Sequence, residues 1–200
     1  MRITTIDLMR HGEPVGGRKY RGHTDDPLSE EGLREMWEAV GDFHGWERVV
    51  TSPLARCATF AHALSGRRQI PVSEDARLME IGFGEWEGKT PQELLERDPD
   101  LLLRFWRDPL NNHPPGAEPL ADFAARITAV WHALTREYKG QHVLVVTHAG
   151  VIRMVMSYVL GMPLDHLFRI QVSNASITRI HIEWEGQVSF PSLVFHDGRP

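Results

Sequence analysis

Two apolar runs, far apart in the chain, end in the same way, and this feature constrains the fold most. Residues 3–12 end in Arg10, His11 and Gly12, and residues 141–150 end in His148 followed two positions later by Gly150. Apolar runs of this length predict buried strands of a parallel sheet. Because the carboxyl ends of parallel strands meet at one ligand-binding edge, two neighbouring strands would bring both imidazoles to one crevice.

The rest of the chain alternates helical and strand patterns, which predicts an α/β fold with a mostly parallel sheet. Two hundred residues suffice for one sizeable domain, so we expect a single domain over 1–200. Inserted helices at about 88–118 are expected to form a flap over the sheet edge that sets substrate choice. The other expected elements are a helix from Ser29 to Gly41, a strand at 48–51, a helix opened by Ser52 and Pro53, an edge strand at 70–72, a long helix from Pro119 and a closing hairpin over 174–190.

Charge and composition exclude several classes of partner. The net charge of −5, without a dense basic run, argues against a nucleic-acid partner. The chain begins directly with a strand pattern, and no stretch reaches transmembrane length, so neither a leader nor a membrane partner is expected. Cys57 is the single cysteine, which excludes an internal disulfide and fits a reducing compartment; we expect a cytoplasmic protein. Among its small apolar neighbours, Cys57 is better explained as a packed helix residue than as a nucleophile.

Two arginines accompany the two imidazoles. Arg10 precedes His11, and Arg56 lies about one turn inside the helix expected to start at Ser52. A guanidinium at a helix start suits an anion, although an exposed arginine on a helix surface explains Arg56 equally well when it is taken alone. Together the four side chains predict a pocket for a dianion such as a phosphoryl group. No metal is expected, because metal-binding spacings are missing from the sequence and paired arginines repel a divalent cation. The other nine histidines are expected on the surface or in loops.

Glu80 is the candidate general acid. It stands between apolar residues before a glycine-rich turn, and such shielding favours the protonated carboxyl form that a general acid needs. The alternative is an ion pair with a nearby arginine. Glu85 and Glu87, which alternate with apolar residues of the same segment, are expected to be solvated. The loop over 13–27 carries Arg18, Lys19 and Arg21; as a whole it is cationic enough to line the site, but each cation taken singly is better explained as solvated.

Four segments resemble the histidine phosphatase superfamily, in its phosphoglycerate mutase-like branch. They are Leu8-Met-Arg-His-Gly-Glu13, Thr51-Ser-Pro-Leu-Ala-Arg56, Leu78-Met-Glu-Ile-Gly-Phe-Gly-Glu-Trp-Glu-Gly88 and Val146-Thr-His-Ala-Gly150, and residues 20–32 also resemble that branch. The resemblance covers nearly the whole chain in the right order. It implies a three-layer α/β/α sandwich. Within the branch, the Glu80 segment and the short length are most similar to α-ribazole phosphatases, which act in cobalamin assembly.

The resemblance also implies a mechanism without metal or cofactor. His11 would attack the phosphorus of a small-molecule phosphate monoester to give a phosphohistidine, with Glu80 protonating the departing alcohol and then activating water. Arg10, Arg56 and His148 would hold the phosphoryl oxygens, and a ring N–H of His11 bonded to a carbonyl near Gly12 would fix the attacking nitrogen. Pro14, Gly16 and Gly17 replace residues that bind phosphate in many relatives, so the substrate contacts of this loop differ.

Two other functions are compatible with these residues. A phosphoglycerate mutase would use the same site, but the longer insertion typical of the glycolytic mutases is missing from this sequence. A non-catalytic phosphate-binding protein on the same scaffold is the other alternative, and five intact site residues argue against it. The sequence does not assign the oligomeric state or the substrate, for which α-ribazole 5′-phosphate is one candidate.

Overall fold

A mixed six-stranded sheet forms the centre of the protein. The computed structural model describes residues 3–200. The strands are β1 (Thr4–Arg10), β2 (Arg48–Thr51), β3 (Val72–Glu74), β4 (His142–Thr147), β5 (Ile177–Glu185) and β6 (Val188–Gly198). Their order is β3-β2-β4-β1-β5-β6. The first four strands are parallel to one another, β5 pairs antiparallel with β1, and β6 pairs antiparallel with β5. The α/β class and the closing hairpin at a sheet edge are thus confirmed.

The two apolar runs that end in histidine are neighbours in this sheet. β1 pairs with β4 in parallel, and Arg10 lies opposite Thr147 at the ends of the two strands. His11 and His148 each follow directly, and the backbone N–H of His11 donates to the carbonyl of Thr147 at 3.0 Å. The expected adjacency of the two imidazoles at one sheet edge therefore follows from strand pairing.

Helices cover both faces of the sheet and complete three layers. The helices are α1 (Glu30–Val40), α2 (Ala55–Arg68), α3 (Pro91–Arg97), α4 (Leu101–Arg107), α5 (Leu120–Glu137) and α6 (Ala149–Leu160). Consecutive β4 residues alternate between two cores: Val145 packs in a cluster with α5 and α6, whereas Val146 packs in a cluster with α1 and α2. Burial on both faces explains why these strands are continuously apolar. None of the helices within residues 3–200 is long and apolar enough to cross a bilayer.

Three element boundaries differ from the expectation, the first being that of β3, which spans Val72–Glu74 rather than 70–72. α2 begins at Ala55 rather than at Ser52, because Leu54 is still extended and the carboxylate of Asp25, from the 13–27 loop, accepts the N–H of Ala55 at 2.6 Å. Arg56 is therefore the second residue of the helix and not a turn inside it. β6 continues past Pro191 to Gly198. A proline in an edge strand need not donate to a neighbour, so it does not end the strand there.

The segment at about 88–118 holds α3 and α4. Thr90 and Glu93 form a reciprocal capping box at the start of α3. The two helices share a small apolar cluster with Trp86, which buries Leu94 and Phe105. Trp106 beside that cluster stays 45% exposed. The role of this segment as a flap that selects the substrate, and the assignment of residues 1–200 to one domain, stay predictions.

A buried carboxylate stabilises the middle of the sheet. Asp7 of β1 is fully buried, and both of its oxygens accept hydrogen bonds from Arg179 at 2.8 Å. One oxygen also accepts from Trp46 at 2.8 Å and from the Nε2 of His142 at 2.9 Å. His142 lies in the strand expected over 141–150, but its ring is half-buried against Asp7 instead of on the surface. Burial acts to raise the pKa of Asp7, yet the hydrogen bonds from Arg179 and His142 outweigh it and lower the pKa below its ordinary value.

Asp7→Asn is expected to lower the free energy of unfolding by about 3 kcal/mol at pH 7, since it leaves the half-buried guanidinium of Arg179 without its counter-charge. Because the pKa of Asp7 is lowered in the folded state, the contribution is complete above the unfolded value of about 4 and declines as pH falls further. Urea unfolding at pH 7 and below pH 4 measures both effects. The exposed Asp165→Asn is the control, and equal stability of Asp7→Asn and the wild type at pH 7 would contradict the prediction.

Candidate active site

A cavity of about 220 Å³ opens at the carboxyl edge of β1 and β4. Four of the five residues predicted from the sequence line it: Arg10, His11, Arg56 and Glu80. The fifth, His148, lies directly behind His11, with ring centroids 5.2 Å apart and the planes at 64°. Strand pairing and the starts of α2 and α6 thus bring all five residues to one place.

The ring of His11 is fixed in one tautomer. Its Nδ1 lies 2.8 Å from the carbonyl oxygen of Gly12, as expected from the sequence, and because a carbonyl can only accept, Nδ1 must carry the proton. Nε2 therefore holds the free lone pair, and it has no hydrogen-bond partner within residues 3–200. Burial, followed by the Arg10 and Arg56 cations, holds the pKa of His11 well below its ordinary value. The ring is therefore neutral at neutral pH.

Position 12 requires a glycine, because the backbone of a neighbouring helix leaves no room for a side chain there. A Cβ at Gly12 would lie 2.0 Å from the carbonyl oxygen of Gly32 in α1. The glycine that follows the histidine thus serves close packing of the strand end against a helix.

His148 is buried and bonded on both sides of its ring. Arg56 Nε donates to its Nδ1 at 3.3 Å, so its proton sits on Nε2, which lies 2.8 Å from the hydroxyl of Ser52. Burial, and then Arg56, holds the pKa of His148 well below its ordinary value. Ser52, expected as a helix cap, instead serves as the partner of this ring.

The two predicted arginines differ in how much of their hydrogen-bonding capacity the protein uses. Arg56 is 1% exposed, and its terminal nitrogens donate to the carbonyls of Thr24 and Gly22 at 2.7 Å each. Arg10 donates from Nη1 to the carbonyl of Val172 at 2.6 Å, while its buried Nε has no partner in the described part of the chain. Each guanidinium keeps further N–H groups for an anion beside His11.

Glu80 is anchored at the start of α6. Its carboxylate accepts the N–H of Ile81 at 3.0 Å and that of Gly150 at 3.2 Å. It forms no ion pair with any arginine of residues 3–200, so the alternative interpretation as an ion-pair partner is not supported. The absence of a side chain at Gly150 makes this contact possible, because a Cβ there would lie 2.2 Å from Glu80 Oε1.

The 13–27 loop is held to the protein at several points. Two expectations, one about its cations and one about Glu87, which contacts the loop, were wrong. Lys19 and Arg21 are not solvated separately but share the carboxylate of Asp26, at 2.9 Å each. Glu87 is not a solvated side chain: its carboxylate accepts the N–H groups of His23, Thr24 and Phe83 at 2.9–3.0 Å. These backbone partners are not visible in a hydrophobic pattern. Arg18, Lys19 and Arg21 all line the cavity.

Sequence analysis missed further residues of the cavity wall. The aromatic rings of Tyr20, Phe83, Trp106 and Phe168 form one side of it, and Arg153 of α6 extends into it. Arg153 could have been found from helical spacing, because it lies four residues after Ala149 and hence on the same face of the helix. Tyr20 and Phe83 come from loops and Phe168 from a 3₁₀ helix over Leu164–Arg169, for which the sequence offers no spacing rule, whereas Trp106 belongs to α4 in the segment expected to form a flap. Cys57, by contrast, is a fully buried α2 residue as expected.

The cavity is strongly cationic. Six positively charged side chains line it, against the single carboxylate of Glu80: Arg10, Arg18, Lys19, Arg21, Arg56 and Arg153. Within residues 3–200 there is no cluster of three histidine, cysteine or acidic side chains that could hold a metal ion. A site of this charge attracts an anion and can stabilise negative charge that develops on it during a reaction.

Proteins of known family are similar to this chain in sequence and in structure. It is 34% identical over 180 residues to a bifunctional protein of Mycobacterium tuberculosis, covering 88% of this chain and 49% of that protein. The chain thus spans about half the length of this relative. It is 27% identical to the adenosylcobalamin/α-ribazole phosphatase of Escherichia coli, with 88% of both chains covered. The native structure of a mycobacterial glucosyl-3-phosphoglycerate phosphatase matches with a TM-score of 0.85 at 25% identity, covering 98% of this chain and 99% of that one.

One family model matches almost the full sequence. Residues 6–190 match the family model described as histidine phosphatase superfamily, branch 1. The match includes His11, Glu80 and His148, and the solved relative shares the three-layer fold. This chain is therefore a member of branch 1 of the histidine phosphatase superfamily.

Proposed function

We propose that this protein hydrolyses small-molecule phosphate monoesters through a phosphohistidine on His11, without a metal ion. The observation that carries the proposal is the state of the His11 ring: Nδ1 is fixed by the carbonyl of Gly12, and the free Nε2 stands in a cavity with Arg10, Arg56 and Glu80. The relatives support the reaction class, since those named above include phosphatases for two different esters. A cytoplasmic location is part of the proposal.

In the first step, the Nε2 lone pair of His11 attacks the phosphorus in line with the ester oxygen. The P–O bond breaks, and protonated Glu80 gives its proton to the departing oxygen, which leaves as a neutral alcohol. In the second step, ionised Glu80 takes a proton from a water molecule whose oxygen attacks the phosphorus. The P–N bond breaks, and inorganic phosphate leaves the neutral histidine as it was.

The cations stabilise the negative charge on the phosphoryl oxygens during both steps. Arg10 and Arg56 supply N–H groups beside His11, where they neutralise this charge in place of a metal ion. The Nε2–H of His148, which faces Ser52 Oγ at 2.8 Å, would exchange that partner for a phosphoryl oxygen when substrate binds. The neutral state of both imidazoles prevents repulsion between them and the arginines.

Gly150→Ala is expected to lower kcat about 100-fold without unfolding the protein. The new methyl group would overlap the Glu80 carboxylate, which is the end of a flexible side chain and can move, so the fold survives while the general acid is displaced. Steady-state kinetics and the melting temperature measure the two effects. Gly66→Ala in α2 is the matched control, because a Cβ there meets nothing within 4 Å. Full activity of Gly150→Ala would contradict the placement of Glu80.

Phosphate release from a panel of monoesters tests the proposal. The panel includes α-ribazole 5′-phosphate, and the protein is assayed after treatment with EDTA. We expect phosphate release from at least one ester, undiminished by EDTA. A failure to release phosphate from every ester would favour the non-catalytic alternative, and a requirement for added metal would contradict the mechanism.

The mutase alternative is tested with 2-phosphoglycerate. A hydrolase releases inorganic phosphate, whereas a mutase returns the phosphoryl group and forms the 3-isomer. We expect phosphate release to exceed isomerisation, and faster isomerisation than phosphate release would overturn the assignment as a phosphatase.

A further inference from the structure

We propose that Arg153 forms a subsite for a carboxylate on the leaving alcohol, so that the substrates are phosphomonoesters of hydroxy acids. This inference rests on the proposed hydrolysis at His11. Of the other cations that line the cavity, Lys19 and Arg21 share Asp26, Arg10 and Arg56 flank His11, and Arg18 is exposed to solvent. Arg153 remains as a half-buried cation whose role in the site is not accounted for by the reaction itself.

The guanidinium of Arg153 is bonded to the protein through Nε, and its two terminal nitrogens are free within residues 3–200. Nε donates to the carbonyl of Ile170 at 2.7 Å, and the guanidinium carbon lies 5.9 Å from the centre of the Phe168 ring. Neither terminal nitrogen has a hydrogen-bond partner, and no carboxylate lies within ion-pair distance, among residues 3–200. A planar fork fixed in this way matches a planar carboxylate in two parallel hydrogen bonds.

The position of Arg153 assigns the carboxylate to the leaving group. Gly150 donates to Glu80, and Arg153 lies three residues further along α6, so it stands one helical turn from the contact that anchors the general acid. Glu80 protonates the ester oxygen, so an acidic group held by Arg153 must belong to the alcohol that departs. Burial, and to a lesser degree the Arg153 cation, lowers the pKa of Arg10. The two cations thus face a common space that an additional anion would neutralise.

The alternative role for Arg153 is compensation of the Glu80 charge. In that case Arg153 would affect every substrate equally and would shift the pH profile of the reaction. A carboxylate subsite instead affects only substrates that carry the carboxylate. The two roles are therefore separated by a ratio of specificity constants and not by activity alone.

The test compares 3-phosphoglycerate with glycerol 3-phosphate, which differ only by a carboxylate in place of a hydroxymethyl group. For the wild type we expect kcat/KM to be about 30-fold higher for the acidic ester, as for a charge-assisted bidentate contact. Arg153→Met should bring this ratio close to 1, and Arg153→Lys should restore part of it. Arg169→Met, which removes an exposed arginine next to Phe168, should keep the wild-type ratio.

Binding of two phosphonates gives a second readout that does not depend on turnover. Phosphonoacetate carries a carboxylate and ethylphosphonate does not, and calorimetry should find the first bound about 10-fold more tightly by the wild type but not by Arg153→Met. Equal binding of the two by the wild type would overturn the subsite even if the variant failed to fold. A parallel loss on both esters with a shifted pH profile would also overturn it in favour of compensation. If the wild type hydrolysed neither these esters nor any other, the proposed function would fail instead.

Discussion

His11→Ala is expected to lower kcat for any phosphomonoester by about 10⁴-fold or more, since it removes the atom that forms the covalent bond. The variant should also fail to retain phosphate. When the wild type is mixed with labelled substrate and quenched in base, the label should stay on the protein, and it should be lost in acid, as a phosphorus–nitrogen bond requires. The loss in rate and the loss of label should occur together.

A matched histidine keeps this experiment specific. His62 is 52% exposed on α2 and pairs with Glu74 at the far edge of the sheet, so His62→Ala should retain both the label and the activity. Label that remained on His11→Ala at the wild-type level would place the phosphoryl group on another residue. His148 could not replace it easily, because both of its ring nitrogens are engaged by Arg56 and Ser52.

Glu80→Gln is expected to slow cleavage of an alkyl phosphate by about 10³-fold and that of an activated aryl phosphate by less than about 10-fold. A good leaving group departs without a proton, so only the poor one needs the acid. The amide keeps the size of the side chain and its hydrogen-bond acceptor for Gly150, but it cannot donate the proton. The rate should be taken from alcohol release in the first turnover, since the second step also depends on Glu80.

Glu85→Gln is the control for this comparison. Glu85 belongs to the same segment and is exposed, so its replacement should change neither rate. Equal losses with both leaving groups in Glu80→Gln would remove Glu80 from the role of general acid. The residue would then orient the substrate or stabilise the site.

Most of the predicted site residues lie at the ends of regular elements, whereas Glu80 lies in a loop and was predicted from its apolar neighbours and the glycine-rich turn. His11 and His148 were placed together because an apolar run identifies a buried strand, and parallel strands end at the same edge. The start of α2 was misplaced because the cap is Asp25, thirty residues earlier in the chain, and a contact of that kind leaves no local pattern. Glu87 was misjudged for the same reason: its partners are backbone N–H groups that come close only in the folded chain.

The residues that line the cavity show more clearly which parts of a site cannot be predicted from the sequence. Arg153 follows from helical spacing once Ala149 is known to face the cavity, so its position was available in principle. Tyr20 and Phe168 reach the cavity from segments whose paths depend on tertiary packing. Sequence patterns thus locate the five predicted site residues better than they locate the other residues that line the cavity.

The two carbonyl contacts of Arg56 link occupancy of the site to the order of a loop. The guanidinium that faces His11 also holds the backbone of Gly22 and Thr24, and so the segment that carries Lys19 and Arg21. A bound anion that draws Arg56 inward therefore acts on this segment as well. By thermodynamic reciprocity, the anion binds the ordered segment more tightly than the freed segment by the same factor by which it shifts the segment toward order. Within this loop, side-chain change is therefore better tolerated at the exposed Val15 than at Gly16 and Gly17, whose φ angles of 85° and 67° favour glycine.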